Sequence, residues 1–285
     1  SNSAALLTTA QAAKKNTKNS FSLNEVPKYN GKASVVVHGN QPYFTSREKQ
    51  NTKSFESYHK LDKLGRCGVA YANISIDTMP TEKRGEIGQI RPSGWHTVKY
   101  SGVVDGNYLY NRCHLIAYCL TAENANKKNL ITGTRYLNNE GMLPYETKTA
   151  QYIDKTKNHV LYRVTPVFKG SDLVASGVLM EAYSVEDQGK GISFCVYCYN
   201  VQPGVAIDYA TGDSHLRGKN NQNSHKSSAK EHASAVYILN TNTKKFHKPD
   251  CYSVKQMRSK NRKKYKGLRK KLIKDGYSPC KNCNP

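Results

Sequence analysis

Apolar positions in this chain recur mostly with the short period of β-strands. The β signals begin at Val35-Val36-Val37, with turn residues at Gly39-Asn40 and at Gly65-Arg66-Cys67-Gly68. Tyr71-Ala72-Asn73-Ile74-Ser75-Ile76 alternates as a half-buried strand does. From Pro80 to Gly106, glycines and prolines mark turns around Trp95. Leu115 to Leu120 fits either a short helix or a strand, Ala122-Glu123-Asn124-Ala125-Asn126 reads as a polar loop, and Leu130 to Thr134 reads as a connector. The period then lengthens. Tyr136 to Thr156 reads as a helix that turns Met142, Leu143, Tyr145, Tyr152 and Ile153 inward, with Pro144 near its start, where a missing N–H is tolerated. Runs rich in aromatic and β-branched residues follow at His159–Phe168, Leu173–Ser184 and Ile192–Val201, and they predict an antiparallel meander. The fold class expected is α+β, with an antiparallel sheet core.

Three stretches fall outside this pattern. Residues 1–30 are polar and show neither strand alternation nor a capped helical period, so they read as a mobile arm. Residues 213–235, including Gly218-Lys219-Asn220-Asn221-Gln222-Asn223 and Ser227-Ser228, are nearly free of apolar residues and read as a linker. Val236-Tyr237-Ile238-Leu239 then restarts a strand. The chain therefore divides into an arm (1–30), a main domain (31–212), the linker, and a module of residues 236–285 too small to depend on its core alone.

Charge adds a partner. The chain of 285 residues carries a formal net charge of +23, the self-repelling surface of a protein that meets a polyanion. Nucleic acid fits better than a membrane, because no basic helix has a bulky apolar face and no apolar run reaches the roughly 18 residues of a span. Residues 236–285 hold fifteen Lys and Arg against two Asp, a net of +13 and more than half the total. Within them, Lys260–Lys274 interleaves Tyr265 and two leucines with its cations, which suits phosphate neutralisation by a module docked on its own core. A solvated basic helix is the competing reading.

The candidate chemistry is concentrated in Asn111-Arg112-Cys113-His114, with Asn138 24 residues after the histidine and Glu146 eight further on. A neutral imidazole accepts a proton from water near neutral pH, so His114 is a candidate general base. Asn138 offers a neutral amide oxygen suited to Mg²⁺, a hard ion that keeps several waters; a helix N-cap is its competing role. Glu146, two helical turns on, is placed to hold a metal-bound water, whereas by itself it reads as a solvated surface charge.

Asn111-Arg112-Cys113-His114 resembles the Asp-Arg-Gly-His signature of the DNA/RNA non-specific endonucleases with a ββα-metal finger. Asn129 to Asn138, Gly141 to Glu146 and Asn158 to Pro166 are similar to streptococcal-type secreted DNases. The resemblance runs from about residue 30 to 214. It implies His114 as general base, Asn138 as the direct Mg²⁺ ligand, with Mn²⁺ able to substitute, and Glu146 as an outer-shell group. It also implies an arginine on the phosphate, which spacing leaves open between Arg84 and Arg91. Two positions depart from the signature. Asn111 replaces Asp and removes a negative charge, and Cys113 replaces Gly, a strained exchange if the backbone there has positive φ.

In the last module, His247-Lys248-Pro249-Asp250-Cys251 and Cys280-Lys281-Asn282-Cys283 supply one His and three Cys, an ordinary structural zinc set. This stretch resembles the small Ada-type metal-binding domain, with His247 in place of one of four cysteines. A disulfide from Cys251 to Cys280 or Cys283 is the alternative. Cys195 and Cys198 form a second C-x-x-C, but residues three apart on a strand face opposite ways, so they read as ordinary small side chains.

The expected activity is Mg²⁺-dependent, sequence-non-specific endonuclease hydrolysis of DNA, with RNA also open, leaving 5′-phosphate ends. The residues expected to contribute are His114, Arg112, Asn111, Glu146, and Arg84 or Arg91. Secretion is expected. Ser1-Asn2-Ser3 reads equally as an expression scar or as a mature terminus after a removed signal. Two alternatives use the same residues: a nucleic-acid-binding or uptake protein weakened in catalysis by Asn111 and Cys113, and a nuclease toxin.

Overall fold

The computed structural model describes residues 20–218 and 234–285. Its strands are β1 (Ser34–Val36), β2 (Phe55–Tyr58), β3 (Ala70–Ile74), β4 (Tyr110–His114), β5 (Leu130–Thr134), β6 (Val160–Val167), β7 (Gly177–Ser184) and β8 (Ser193–Tyr199). They continue as β9 (Val205–Ile207), β10 (Ser214–Leu216), β11 (Ser234–Asn240), β12 (Lys245–His247), β13 (Arg262–Leu268) and β14 (Ser278–Pro279). The α-helices are α1 (Tyr118–Thr121), α2 (Leu143–Thr156), α3 (Tyr252–Lys255) and α4 (Arg269–Lys274).

The fold is α+β around a six-stranded antiparallel sheet in the order β1-β8-β7-β6-β3-β2. The predicted meander is its centre. Period-two alternation gives this sheet two buried faces. Tyr162 and Val164 of β6, Met180 and Ala182 of β7, and Phe194, Val196 and Cys198 of β8 point to one face, where Leu137, Met142, Ala150 and Ile153 cover them. Leu179, Cys195, Tyr197 and Tyr199 point to the other. Cys195 and Cys198 thus face opposite ways, as their strand spacing requires.

The second face is closed by residues read from sequence as the end of the arm. Phe21, Leu23, Val26 and Tyr29 pack on it, Phe21 stacks on Tyr197, and Tyr199 donates its hydroxyl to the Pro27 carbonyl at 2.6 Å. These side chains are spaced too irregularly to register as a strand or helix, yet they remove apolar area from water. Residues 1–19, the rest of that arm, lie outside the described residues.

Three further readings change. Leu130–Thr134 is strand β5, which pairs antiparallel with β4, with His114 opposite Leu130 and Asn111 opposite Gly133. The segment after His114 resolves into the single helical turn α1. The helix expected over Tyr136–Thr156 contains a π turn at Leu137–Met142 near its start and runs on as α2 from Leu143, with Pro144 in the first turn of α2. Thr134 Oγ1, accepting from the Leu137 N–H at 2.9 Å, joins β5 to this turn. β4, β5 and α2 form a ββα unit.

The stretch read as a linker starts with structure, since β10 pairs with β9; residues 219–233 lie outside the described residues. Residues 234–285 build a separate four-stranded sheet in the order β13-β11-β12-β14, with β14 parallel to β12. One face packs Tyr237, Leu239, Phe246 and Leu272 together. This unit touches the large sheet's layer through α2. Leu143 packs against Cys251, Val254 and Met257, Tyr252 joins the main core, and Gln151 donates to the Asp250 carbonyl at 3.3 Å.

Candidate active site and metal centre

β4 carries His114 at its end, and strand alternation decides what each residue of the motif meets. Cys113 points into the core beside Ile131, whereas Arg112 and His114 face the other way with Thr132 and Leu130. His114 is buried, and its Nε2 lies 2.9 Å from the Asn124 carbonyl oxygen. A carbonyl only accepts, so Nε2 carries the proton and Nδ1 presents its lone pair. Burial lowers the His114 pKa; the Asn124 hydrogen bond opposes that, and the charge of Arg84 lowers it further. The imidazole is therefore held neutral with one nitrogen able to take a proton.

Asn124 had no sequence signal, because its contribution is a backbone carbonyl. Its side chain packs beside Gly85, and its Nδ2 donates to the Glu86 carbonyl at 3.5 Å. That contact fastens the loop bearing Arg84 against the peptide under His114. Of the two candidate arginines, Arg84 is the one whose charge is felt at His114; Arg91 acts on Arg112 and lines a cavity.

Arg112 is engaged elsewhere. Its guanidinium lies 4.1 Å from the centre of the Trp95 ring, and its Nε donates to the Ile90 carbonyl. It ties the loop at 90–95 to the β4–β5 hairpin. Thr132, opposite Arg112, adds a second tie by donating its hydroxyl to the Ser93 carbonyl at 2.8 Å.

Asn138 sits in the π turn, with its Oδ1 3.5 Å from the Cys113 Sγ, a weak donor. Cys113 is wholly buried, and its φ is not positive. The strain considered for a Cβ at this position is therefore absent, and the space comes from across the hairpin. An added Cβ at Gly133 would stand 2.6 Å from the Cys113 Cβ, so the glycine that makes room lies at 133. Asn111 contributes a buried Nδ2 with no hydrogen-bond partner among the described residues.

Glu146 is no surface charge. It lies on the core-facing stripe of α2 with Met142, Thr149, Ala150 and Ile153, and burial raises its pKa to about 8. Its charge also raises the Cys113 pKa. Asn138 and Glu146 thus converge near Cys113, the chain neighbour of His114. A neutral amide oxygen near a buried carboxyl suits a hard divalent cation with retained waters, since a cation would offset the cost of ionising Glu146.

A second cluster lies in the last unit. One ligand atom from each of His247, Cys251, Cys280 and Cys283 can be placed so that all four lie within 4.8 Å of one another, and all four residues are buried. Among the described residues His247 Nδ1 has no hydrogen-bond partner, while the backbone N–H groups of Lys248 and Asn282 point at the Cys283 and Cys280 sulfurs at 3.3 and 3.4 Å. An orphaned imidazole nitrogen with three sulfurs at this spacing fits a tetrahedral metal. All eight cysteines are free thiols, so the alternative disulfide is not formed.

Residues 45–186 match the DNA/RNA non-specific endonuclease family. The chain is also similar to NucA from Streptococcus agalactiae at 26% identity. With NucA holding a magnesium ion, the match covers 64% of this chain and 86% of NucA with a TM-score of 0.57; with metal-free NucA it covers 74% and 99%, with a TM-score of 0.59. The Sda1 nuclease, solved with a bound zinc ion, is 30% identical over 57% of this chain and 80% of its own, with a TM-score of 0.48. With the family match falling on the segment that carries His114, Asn138 and Glu146, the chain belongs to the DNA/RNA non-specific endonuclease family.

Proposed function

We propose that this protein is a Mg²⁺-dependent endonuclease that hydrolyses DNA without sequence preference, His114 serving as general base. The observation that carries this reading is the buried neutral imidazole of His114, held through Nε2 by the Asn124 carbonyl. Nδ1 takes a proton from the attacking water, and the imidazole keeps its aim because Asn124 fixes the ring. Asn138 would hold the divalent ion through its amide oxygen, and Glu146 would orient a water beside it. When bound, the cation neutralises charge developing on the departing 3′ oxygen, which leaves 5′-phosphate ends. Mn²⁺ has the same preference for oxygen ligands and substitutes. Arg84 contacts the phosphate, whereas Arg112 holds the loop at 90–95 in place.

The reading extends to the rest of the chain. Residues 31–212 form the nuclease domain, and residues 236–285 form a module stapled by zinc on His247, Cys251, Cys280 and Cys283. That module binds nucleic acid through backbone phosphates, which carry no sequence information. NucA was solved with magnesium and Sda1 with zinc, in keeping with divalent ions in such enzymes. Among the described residues no helix is long and apolar enough to cross a membrane. We place the site of action outside the producing cell, because a nuclease without sequence preference would degrade that cell's own DNA; recovery of the native protein in the culture medium checks this.

The deciding experiment incubates supercoiled plasmid with the protein and Mg²⁺, with EDTA, and with the His114→Ala variant at equal concentration. Nicking should need both the ion and the imidazole. A gel shift without nicking across several divalent ions would replace the nuclease with a binding protein.

A further inference from the structure

A cavity of about 270 Å³ lies beside β5, the strand paired with the one that carries His114. Its placement follows from the register. Leu130 and Ile131, which line it, are the cross-strand partners of His114 and Cys113, so the cavity flanks the strand next to the imidazole's. Ile90 and Pro92, on the loop held by Arg112 and Thr132, form one wall, and Leu61 forms another. The lining is about half polar, with Gln89 and Ser93 beside the apolar side chains, and its charged residues are two exposed cations, Arg91 and Lys127. The floor is stapled. The buried Cys67 thiol lies 3.3 Å from the Lys127 carbonyl and 3.2 Å from the Leu130 carbonyl, and burial raises its pKa to about 11, so it stays a donor.

We propose that this cavity is a subsite for the nucleotide next to the scissile phosphate, its base resting on Leu61, Ile90, Pro92 and Leu130 and its phosphate held by Arg91 and Lys127. The inference rests on the nuclease reading above and adds to it where the neighbouring nucleotide binds. Apolar side chains beside two cations suit a flat base joined to an anion. The volume, just under the roughly 300 Å³ at which drug-sized pockets begin, suits one nucleotide. It also gives Arg91 a role separate from that of Arg84.

Two phosphodiesters test this with the full chain and Mg²⁺. Bis(p-nitrophenyl) phosphate has no neighbouring nucleotide to place in the cavity, whereas a thymidine hexanucleotide has. The Arg91→Ala/Lys127→Ala variant should raise KM for the hexanucleotide about tenfold, with kcat/KM for the small diester within about twofold of the unaltered protein. Leu61→Trp, which narrows the cavity without removing charge, should act in the same direction. A Lys169→Ala/Lys190→Ala control, which removes two exposed cations elsewhere, should leave both substrates unaffected. An unchanged hexanucleotide KM in both cavity variants overturns the proposal, as does an equal loss on both substrates or an equal rise in the control. If the unaltered protein cleaves neither substrate, the nuclease reading fails independently. Fluorescence anisotropy with a labelled hexanucleotide in the absence of metal then judges the cavity: binding about tenfold weaker in the double variant than in the control supports the subsite, and equal binding rejects it.

Discussion

Gly133 and Cys113 lie diagonally across the β4–β5 hairpin, and the 2.6 Å that an added Cβ would leave between them is closer than packed carbons tolerate. Gly133→Ala should therefore destabilise the protein by about 1–3 kcal/mol, since the nearest atom is the Cys113 Cβ, which no side-chain rotation moves away. Cys113→Gly should rescue it. A denaturant double-mutant cycle with no coupling between the two positions would show that the contact is not what makes the glycine necessary. The neighbouring His114 makes a separate prediction about pH. Burial and the charge of Arg84 favour its neutral form, so its pKa falls below the usual 6.5 and the proposed base stays neutral at lower pH. The acidic limb of kcat/KM against pH should have an apparent pKa under 6.5. A limb at or above 6.5 would mean that another group controls the reaction, or that the imidazole is more exposed than its geometry implies.

Elements with a strong period were legible in the sequence, while those held by partners distant in sequence were not. The meander β6–β7–β8 was readable because β-branched and aromatic residues alternate along it, and Cys195 and Cys198 follow that alternation to opposite faces. β5 was missed because Leu-Ile-Thr-Gly-Thr is short and ends in small polar residues; pairing with β4 makes it a strand. The π turn at Leu137–Met142 left no trace either, as its residues suit an α-helix equally well. His114 and Asn138 are proposed from side-chain chemistry and spacing, and the same signals picked out the His/Cys set that the fold brings together, whereas Asn124 offers a carbonyl that any residue carries. Glu146 was read as surface charge when considered alone, and the inward stripe of α2 buries it. That burial yields a prediction for the helix. With no divalent ion present, Glu146→Gln removes a carboxyl that is costly to ionise, so at pH 8.5 the Tm should rise by about 2 °C or more while plasmid cleavage falls. A drop in Tm would show that the carboxylate is compensated by groups other than a bound cation.

At the scale of the molecule, the small unit and the large sheet meet on α2, the helix that carries Glu146. Leu143 of α2 packs directly on the cluster formed around Cys251, so a metal held there would brace the helix as well as its own unit. Cys280→Ser and Cys283→Ser should each lose bound zinc by elemental analysis and lower the Tm; unchanged zinc content would remove these sulfurs from the ligand set. The basic charge is laid out differently. β13 is an edge strand, and Lys263, Lys264 and Lys266 on it, together with Lys270 of α4, are exposed, while Tyr265 and Leu272 anchor the same stretch inward. An edge strand that carries cations resists pairing with another chain and presents those cations to a phosphate backbone. Phosphate contacts release condensed counterions, so log K against log salt should steepen by about 0.9 for each cation engaged on duplex DNA. Replacing the four lysines with alanine should shallow that slope by about 3 to 4 and weaken binding alike across unrelated sequences, with zinc content unchanged. A slope that stays the same would mean that the nuclease domain alone supplies the phosphate contacts, and that the charge on β13 serves only to keep its edge unpaired.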